Sequence, residues 1–332
     1  MSGERLRSEG IEVIVASPLQ RAVETAHEVR AVLEQSGVGT PLVTDDRLRE
    51  VDLPAWEGVR YEEVKREFPA QLSTWRLNPS EMRMTLPSGK DTFPVRDLYS
   101  RAKSFWEDLV AAYTGKAVLL VTHGGTARAT VTSALGLGID HFQRIQQSNC
   151  GISCLSVPSP LRPAKLELLN DTSHLTKSLP KLKEGRTGVR LLLITADSDD
   201  GKDYLELSSA LDRIAIDRML VLDSLCSAPL SVLSSCSGVE VTARWWLERN
   251  LPGILEAGIS AQSLPQVVAV VRTTLGRRLL ECCLGLPQGA GSLLRLKRVG
   301  LNAIHWPGKG VPPILQGMNL FERKNHLTGG QV

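Results

Sequence analysis

The chain has 332 residues, 42% of them hydrophobic and 23% charged, the composition of an ordinary globular protein. At about 150 residues per domain, this length accommodates two domains. A net charge of +3 is too small to direct the chain to nucleic acid or a membrane surface, and no apolar run approaches the roughly 20 residues that cross a bilayer. The opening MSGERLRSEG has no apolar stretch of the secretory kind, so the expected location is cytoplasmic. None of the six cysteines forms a CxxC pair. They read as buried, reduced thiols, including Cys150 and Cys154 and the adjacent Cys282 and Cys283, with neither metal nor cofactor expected.

Residues 1–10 resemble the end of a helix. Ile11–Ala16 is a short buried-strand pattern. Ser17 and Pro18 suit the cap and first turn of a helix running to about Gln35. A charged loop, Arg47–Gly58, carries Trp56. Tyr61–Trp75 is an amphipathic helix, and Asn78–Pro94, with three prolines, is loop. Val95–Tyr113 is a helix with Leu98, Ala102, Phe105, Leu109 and Ala112 on one face. Ala117–Thr122 is a fully apolar strand that ends in His123-Gly124-Gly125, with a helix to about Leu135. Gly151–Val157, Lys165–Leu169 and Val189–Thr195 are later strands. Alternating strand and helix argue an α/β layered fold with a mainly parallel sheet, covered on both faces. In such sheets a ligand lies at the carboxyl ends of the strands, where both Ser17–Arg21 and His123–Gly125 sit.

The two halves resemble each other. Ala117–Leu137 aligns with Gln266–Leu286 at a shift of 149, Arg144–Leu155 with Arg295–Trp306 at 151, and His174-Leu175-Thr176 with His326-Leu327-Thr328 at 152. Val13–Ala22 aligns with Met219–Ala228 at 206, so the second half lacks the charged loop and the helix after it. A duplication is expected, with a first domain at 1–176, a linker at 177–187 and a degenerate copy at 188–332. The second copy has Ser227 for Arg21 and Arg272-Thr273 for His123-Gly124, so it is expected to support rather than catalyse.

An imidazolium at His123, with glycine N–H groups at a helix N-terminus, suits a phosphate; a plain helix cap is the alternative. Arg21 is a cation in a helix's first turn, unfavourable to the dipole unless an anion offsets it. Glu50, near Trp56, suits proton donation to a leaving group, although any single loop carboxylate is more often only solvated. Asp52 and Glu57 read as structural or solvated.

Ser17-Pro18-Leu19-Gln20-Arg21-Ala22 with Thr25-Ala26 resembles the SPLxRAxxTA stretch of the histidine phosphatases, a family with the phosphoglycerate-mutase-like α/β/α fold. Leu48-Arg49-Glu50-Val51-Asp52 with Trp56-Glu57-Gly58, Val121–Gly125, Asn149-Cys150-Gly151 and Asn170–Leu175 resemble its other motifs, in family order across residues 1–176. The tandem arrangement resembles the two-domain phosphatases that include 2-carboxyarabinitol-1-phosphatase. The resemblance implies hydrolysis of a small phosphorylated metabolite through a phosphohistidine. Arg21 and Gly124 would bind the phosphate, His123 would stabilise the transferring group, and Glu50 would protonate the leaving oxygen.

The nucleophilic histidine of such enzymes lies in an Arg-His-Gly motif at the end of the first strand, and no Arg-His-Gly occurs in this sequence. The chain is expected to lack that strand. In the second copy Leu191–Asp197 takes its place, with Thr195-Ala196-Asp197 for the motif; His27 and His141 do not substitute. Lys90-Asp91-Thr92 stands where family members often carry Glu-Ser, which disfavours mutase chemistry. An inactive phosphate-binding protein and a phosphoglycerate mutase are the alternatives to a phosphatase.

Overall fold

The computed structural model describes residues 1–35, 37, 39–86, 88–159, 162–175, 179–182, 188–197, 207, 211, 214, 216, 218–221, 241–242, 266–287, 289–307 and 310–320. The chain forms two compact units. Of the described residues, the first comprises Met1–Gln143 with those of Val157–Ala164, and the second comprises Arg144–Ser156 with those from Lys165 to Leu320. The division does not fall at the 177–187 segment, most of which lies outside the described residues, because two earlier strands are hydrogen-bonded into the second unit's sheet.

The first unit runs α1 (Ser2–Leu6), β1 (Val13–Ala16), α2 (Gln20–Glu34), β2 (Leu42–Thr44), α3 (Tyr61–Glu67), α4 (Pro69–Leu77), β3 (Met84–Thr85), β4 (Asp91–Thr92), α5 (Pro94–Tyr113), β5 (Val118–Val121) and α6 (Gly124–Ala134). β1 lies between β2 and β5, parallel to both, and is wholly buried. α2 turns Ala22, Ala26, Val29 and Leu33 inward, spaced by whole turns. α5 buries Leu98, Ala102, Phe105 and Leu109, but Ala112, expected on the same face, is exposed. Around Phe142 a second apolar cluster gathers Met82, Met84, Val95, Leu98, Tyr99 and Ala129, with Trp56 and Trp75 against it.

Three departures are confined to short segments. α2 begins at Gln20 with Leu19 as its cap, so Ser17 is not the cap. The expected Tyr61–Trp75 helix is two helices, because Pro69 disfavours helical backbone at Phe68 and contributes no N–H. The proline-rich loop contains the two-residue β3–β4 ladder, whose Asp91 accepts from Thr85 Oγ1 at 2.8 Å and Arg83 Nη1 at 3.1 Å.

Among the described residues the second unit holds one eight-stranded sheet, in the order β10-β9-β11-β8-β12-β13-β7-β6. Its strands are β6 (Ile152–Ser156), β7 (Lys165–Asp171), β8 (Val189–Ala196), β9 (Arg218–Val221), β10 (Val241–Thr242), β11 (Gln266–Val271), β12 (Val299–Trp306) and β13 (Ile314–Leu320). α7 (Thr273–Leu284, the next described helix after α6) follows β11 and ends at Gly285 in the left-handed conformation. From β10 to β8 the ladders are parallel, and from β8 to β6 antiparallel, so the sheet is mixed rather than mainly parallel. Every residue of β8 is buried. Of the cysteines, Cys283 is buried, but Cys150 and Cys282 are exposed; Cys150 occupies a left-handed turn at φ 57° before β6. Cys226 and Cys236 lie outside the described residues.

A set of bonds in this unit recurs at a constant shift of 149 positions. Ser148 N–H donates to Asn170 Oδ1 at 2.7 Å, and Lys297 N–H to Asn319 Oδ1 at 3.1 Å. Asn170 Nδ2 donates to the Gln316 carbonyl, and Asn319 Nδ2 to the Glu167 carbonyl. Gln146 N–H reaches Leu315 O as Arg295 N–H reaches Leu166 O. Both asparagines hold a left-handed backbone, at φ 53° and 55°. The shift of 151 read for Arg144–Leu155 is therefore 149 in space. His326-Leu327-Thr328 lies outside the described residues. Near β1 and β9 the spatial shift is 205 rather than 206, since Val118 faces Val13 as Val267 faces Arg218.

The corresponding strands β5 and β11 differ in one respect. β11 lies between β9 and β8, and all but its first residue are buried. Among the described residues β5 pairs with β1 alone, and each of its four residues is partly exposed, against the expectation of a strand covered on both faces.

Candidate active site

β1 and β5 are parallel neighbours, with Ala16 opposite Val121, so the residues that follow them emerge at one end of the sheet. Ser17 follows β1 directly and is bonded by its N–H to Val121 O at 2.9 Å. Thr122 and His123 follow β5. His123 adopts extended backbone before α6 and is 8% exposed. Its ring is held at both nitrogens: Arg21 Nε donates to Nδ1 at 3.2 Å, and Nε2 lies 2.8 Å from Ser17 Oγ. The guanidinium Nε has a proton and no lone pair, so Nδ1 is the acceptor and the ring is neutral, with its proton on Nε2. This is the state of the ligand-free ring; the imidazolium expected from the sequence is the form that would meet a phosphate. Burial is the main cause: it lowers the His123 pKa from its ordinary value, and the Arg21 and Arg49 cations lower it further against the opposing Glu50 carboxylate.

The titration of His123 therefore acts on stability. Between its lowered native pKa and about 6.5, the unfolded chain binds the extra proton, so stability rises with pH. His123 thus favours the folded state above about 6.5, and that contribution is lost as pH falls toward the native value. Urea unfolding of the wild type and His123→Gln at about pH 7.5, 6.5 and 5.5, stepping down through the free-histidine value, is expected to show the two curves converging as pH falls. Parallel curves would mean that the ring titrates alike in both states.

Glu50 comes from the loop after the short 3₁₀ turn Asp46–Leu48. Its Oε1 accepts from the N–H groups of Val51 at 2.9 Å, Gly125 at 3.0 Å and Thr126 at 3.2 Å, the last two at the N-terminus of α6. A carboxylate suits that positive end of the helix. A Cβ on Gly125 would meet Glu50 Oε1 at 2.6 Å, so this glycine gives the carboxylate access. The backbone of the loop is fixed as firmly as the side chain. Arg101 Nη1 donates to the carbonyls of Arg47 at 3.2 Å and Arg49 at 3.0 Å, and Nη2 to that of Glu50 at 3.3 Å. Thr122 Oγ1 takes the Leu48 carbonyl, and Thr126 Oγ1 that of Arg49, each at 2.7 Å. Four successive carbonyls are therefore bound by side chains from α5, α6 and the end of β5.

The structure thus brings together Arg21, Glu50, His123 and Gly124, the first residue of α6. Asp52 and Glu57 are exposed, as is His27 on α2, while His141 sits in a 3₁₀ turn. Trp56 packs edge-on against Trp75, ring centres 6.0 Å apart. Ser17, Arg101, Thr122 and Thr126 were not read as site residues. Arg101 had a visible signal, an arginine three residues after Leu98 and four before Phe105 on the buried side of α5.

At the matching place in the second unit, Arg272 precedes α7, and Thr273 N–H donates to Asp197 Oδ1 at 3.1 Å. A carboxylate from Thr195-Ala196-Asp197 therefore occupies that helix end. Ser227 lies outside the described residues. Among the described residues, no group of three His, Cys, Asp or Glu is placed to hold a metal ion, and no helix is long and apolar enough to cross a membrane.

The family model described as "Histidine phosphatase superfamily (branch 1)" matches residues 2–171. The 2-carboxy-D-arabinitol-1-phosphatase of Triticum aestivum is 31% identical over 204 residues, 59% of this chain but only 39% of its own length. Phosphoserine phosphatase 1 of Hydrogenobacter thermophilus is 26% identical over 172 residues, 52% of this chain and 76% of its own. Among solved structures, a mycobacterial glucosyl-3-phosphoglycerate phosphatase complexed with VO3 superposes with a TM-score of 0.43 and 24% identity, over 51% of this chain and 81% of its own. The chain spans about two-fifths of the length of the wheat relative it matches.

Proposed function

The chain belongs to branch 1 of the histidine phosphatase superfamily, and from that membership we propose that its first half carries a phosphomonoesterase site for small sugar or acid phosphates. The observation that supports this most is the convergence of Arg21, His123 and Glu50 from three separate segments on the N-terminus of α6. Arg21 and the Gly124 N–H bind the phosphoryl oxygens. His123 stabilises charge on the transferring group. Glu50 protonates the leaving oxygen and then assists water. Relatives whose names specify a phosphorylated sugar acid and phosphoserine support a small phosphorylated metabolite as ligand.

We further propose that the nucleophile is a histidine in an Arg-His-Gly motif on a strand parallel to β5. Among the described residues β5 is paired on one edge and partly exposed, which supports this, since β11 takes β8 along the corresponding edge. The recurrence at 149 positions supports a duplication, with copies at 1–176 and 188–332 joined by 177–187. The carboxylate of Asp197 at the α7 terminus supports a second copy that binds no phosphate.

For the chain taken alone, the absence of Arg-His-Gly favours a second reading, a phosphate-binding protein without turnover. Hydrolysis of an aryl phosphate by this chain, and by a form preceded by an apolar strand ending in Arg-His-Gly, separates the two. Activity in the extended form only, lost in His123→Ala, is the expected result. Turnover by the chain alone that depends on His123 would refute the nucleophile assignment. Phosphate binding with no turnover in either form would favour the second reading.

A further inference from the structure

We propose that Ser17 is a positioning residue for His123: its hydroxyl anchors Nε2 and thereby presents Nδ1 as the ring atom that meets an incoming oxyanion. The inference rests on the phosphate site proposed above and names the group that orients it. Ser17 is fully buried, and its backbone is tied to β5 through Val121. Its Oγ accepts the Nε2 proton of His123 at 2.8 Å and the Leu19 N–H at 3.3 Å, which uses both lone pairs. The sequence role of Ser17 as a helix cap is vacant, since Leu19 precedes α2, so the hydroxyl serves the ring instead.

The arrangement suits both charge states of His123. In the free protein Nδ1 accepts from Arg21. When a phosphate dianion arrives, the Arg21 N–H turns to a phosphate oxygen, and Nδ1 takes a proton from solvent and donates it to the anion. Nε2 continues to donate to Ser17 throughout, so the ring changes charge without reorienting. The groups that face it are Arg21 on α2, Arg49 and Glu50 on the preceding loop, and Ser17 after β1. The two cations oppose protonation, while Glu50 and the anion favour it. An apolar residue at 17 would leave a buried Nε2–H unpaired, a cost that a charged ring raises further.

The test is titration of the full chain with inorganic phosphate, with the His123 ring nitrogens followed by ¹⁵N NMR, in wild type, Ser17→Ala and Ser17→Thr. The wild type is expected to carry its proton on Nε2 when free and on both nitrogens when phosphate is bound. Ser17→Ala is expected to populate both tautomers and to bind phosphate about 10- to 100-fold more weakly, the range for a hydrogen bond to a charged group. Ser17→Thr, which keeps the hydroxyl, is expected to restore the Nε2–H form. A Ser17→Ala chain with wild-type affinity and an unchanged tautomer overturns the proposal. If Ser17→Ala does not fold, a free wild type with its proton on Nδ1 overturns it equally. Failure of the wild type to bind phosphate defeats the reading of the site, while the tautomers of the free proteins still decide the role of Ser17.

Discussion

Replacing Phe142 by alanine is expected to destabilise the first unit by about 3–5 kcal/mol, the range for removing a buried aromatic ring. Phe142 is wholly buried, and three neighbours depend on it. Trp75 and Tyr99 meet it edge-on at 5.3 and 6.2 Å, and the Arg128 guanidinium lies 4.2 Å over the ring. The cavity cannot close cheaply, because Tyr99 is held by its hydroxyl against Thr132 Oγ1 at 2.6 Å. That tyrosine is buried enough to push its pKa up to about 12. The measurement is the urea midpoint with the denaturant slope held in view, so that a true loss of stability is separated from a change in the unfolded state. A loss below about 1 kcal/mol would mean that the rings collapse into the space and that the cluster is not the core of this unit.

Glu50→Ala carries the largest expected effect on rate. In a form of the protein that turns over, loss of a general acid is expected to slow hydrolysis by about 10²–10⁴-fold. The loss should depend on the leaving group: large for an alkyl phosphate, whose alkoxide needs a proton, and small for a nitrophenyl phosphate, which leaves without one. The substitution also strips the α6 terminus of its carboxylate and leaves the Gly125 and Thr126 N–H groups without that acceptor. Glu50→Gln, whose amide oxygen still accepts from those groups, separates the chemical role from the structural one. Equal losses for both substrates would place Glu50 among the structural groups and remove it from proton transfer.

The residues that carry charge or close packing were legible before the structure, and those that support them were not. Arg21 stood out as a cation in a helix's first turn, and His123 and Glu50 through the motifs that resemble the family's; the structure brings the three together. Ser17 was hidden by its plausibility as a helix cap, a local signal that a partner more than a hundred residues away overrode. Arg101 was hidden because its partners are backbone carbonyls, which have no letter in the sequence. Both limits of α5 were read within a residue, since its apolar face repeats regularly; the helix before it was read as continuous because its apolar positions outvoted one proline. The mixed character of the second unit's sheet was not legible, because strand direction follows from partners far apart in the chain, as Leu169 opposite Met318, and no local pattern carries it.

The pairing of β7 with β13 sets an order of events during synthesis. Met318 bonds opposite Leu169, so β7 leaves the ribosome long before its partner exists. At the usual 5–20 residues per second, the wait is roughly 7–30 s. Through that interval β7 offers an unpaired strand edge, of the kind that other chains can capture. Contacts this distant along the chain also form slowly once the chain is free. The asparagine bonds that join β7 to β13 must therefore be among the last to close.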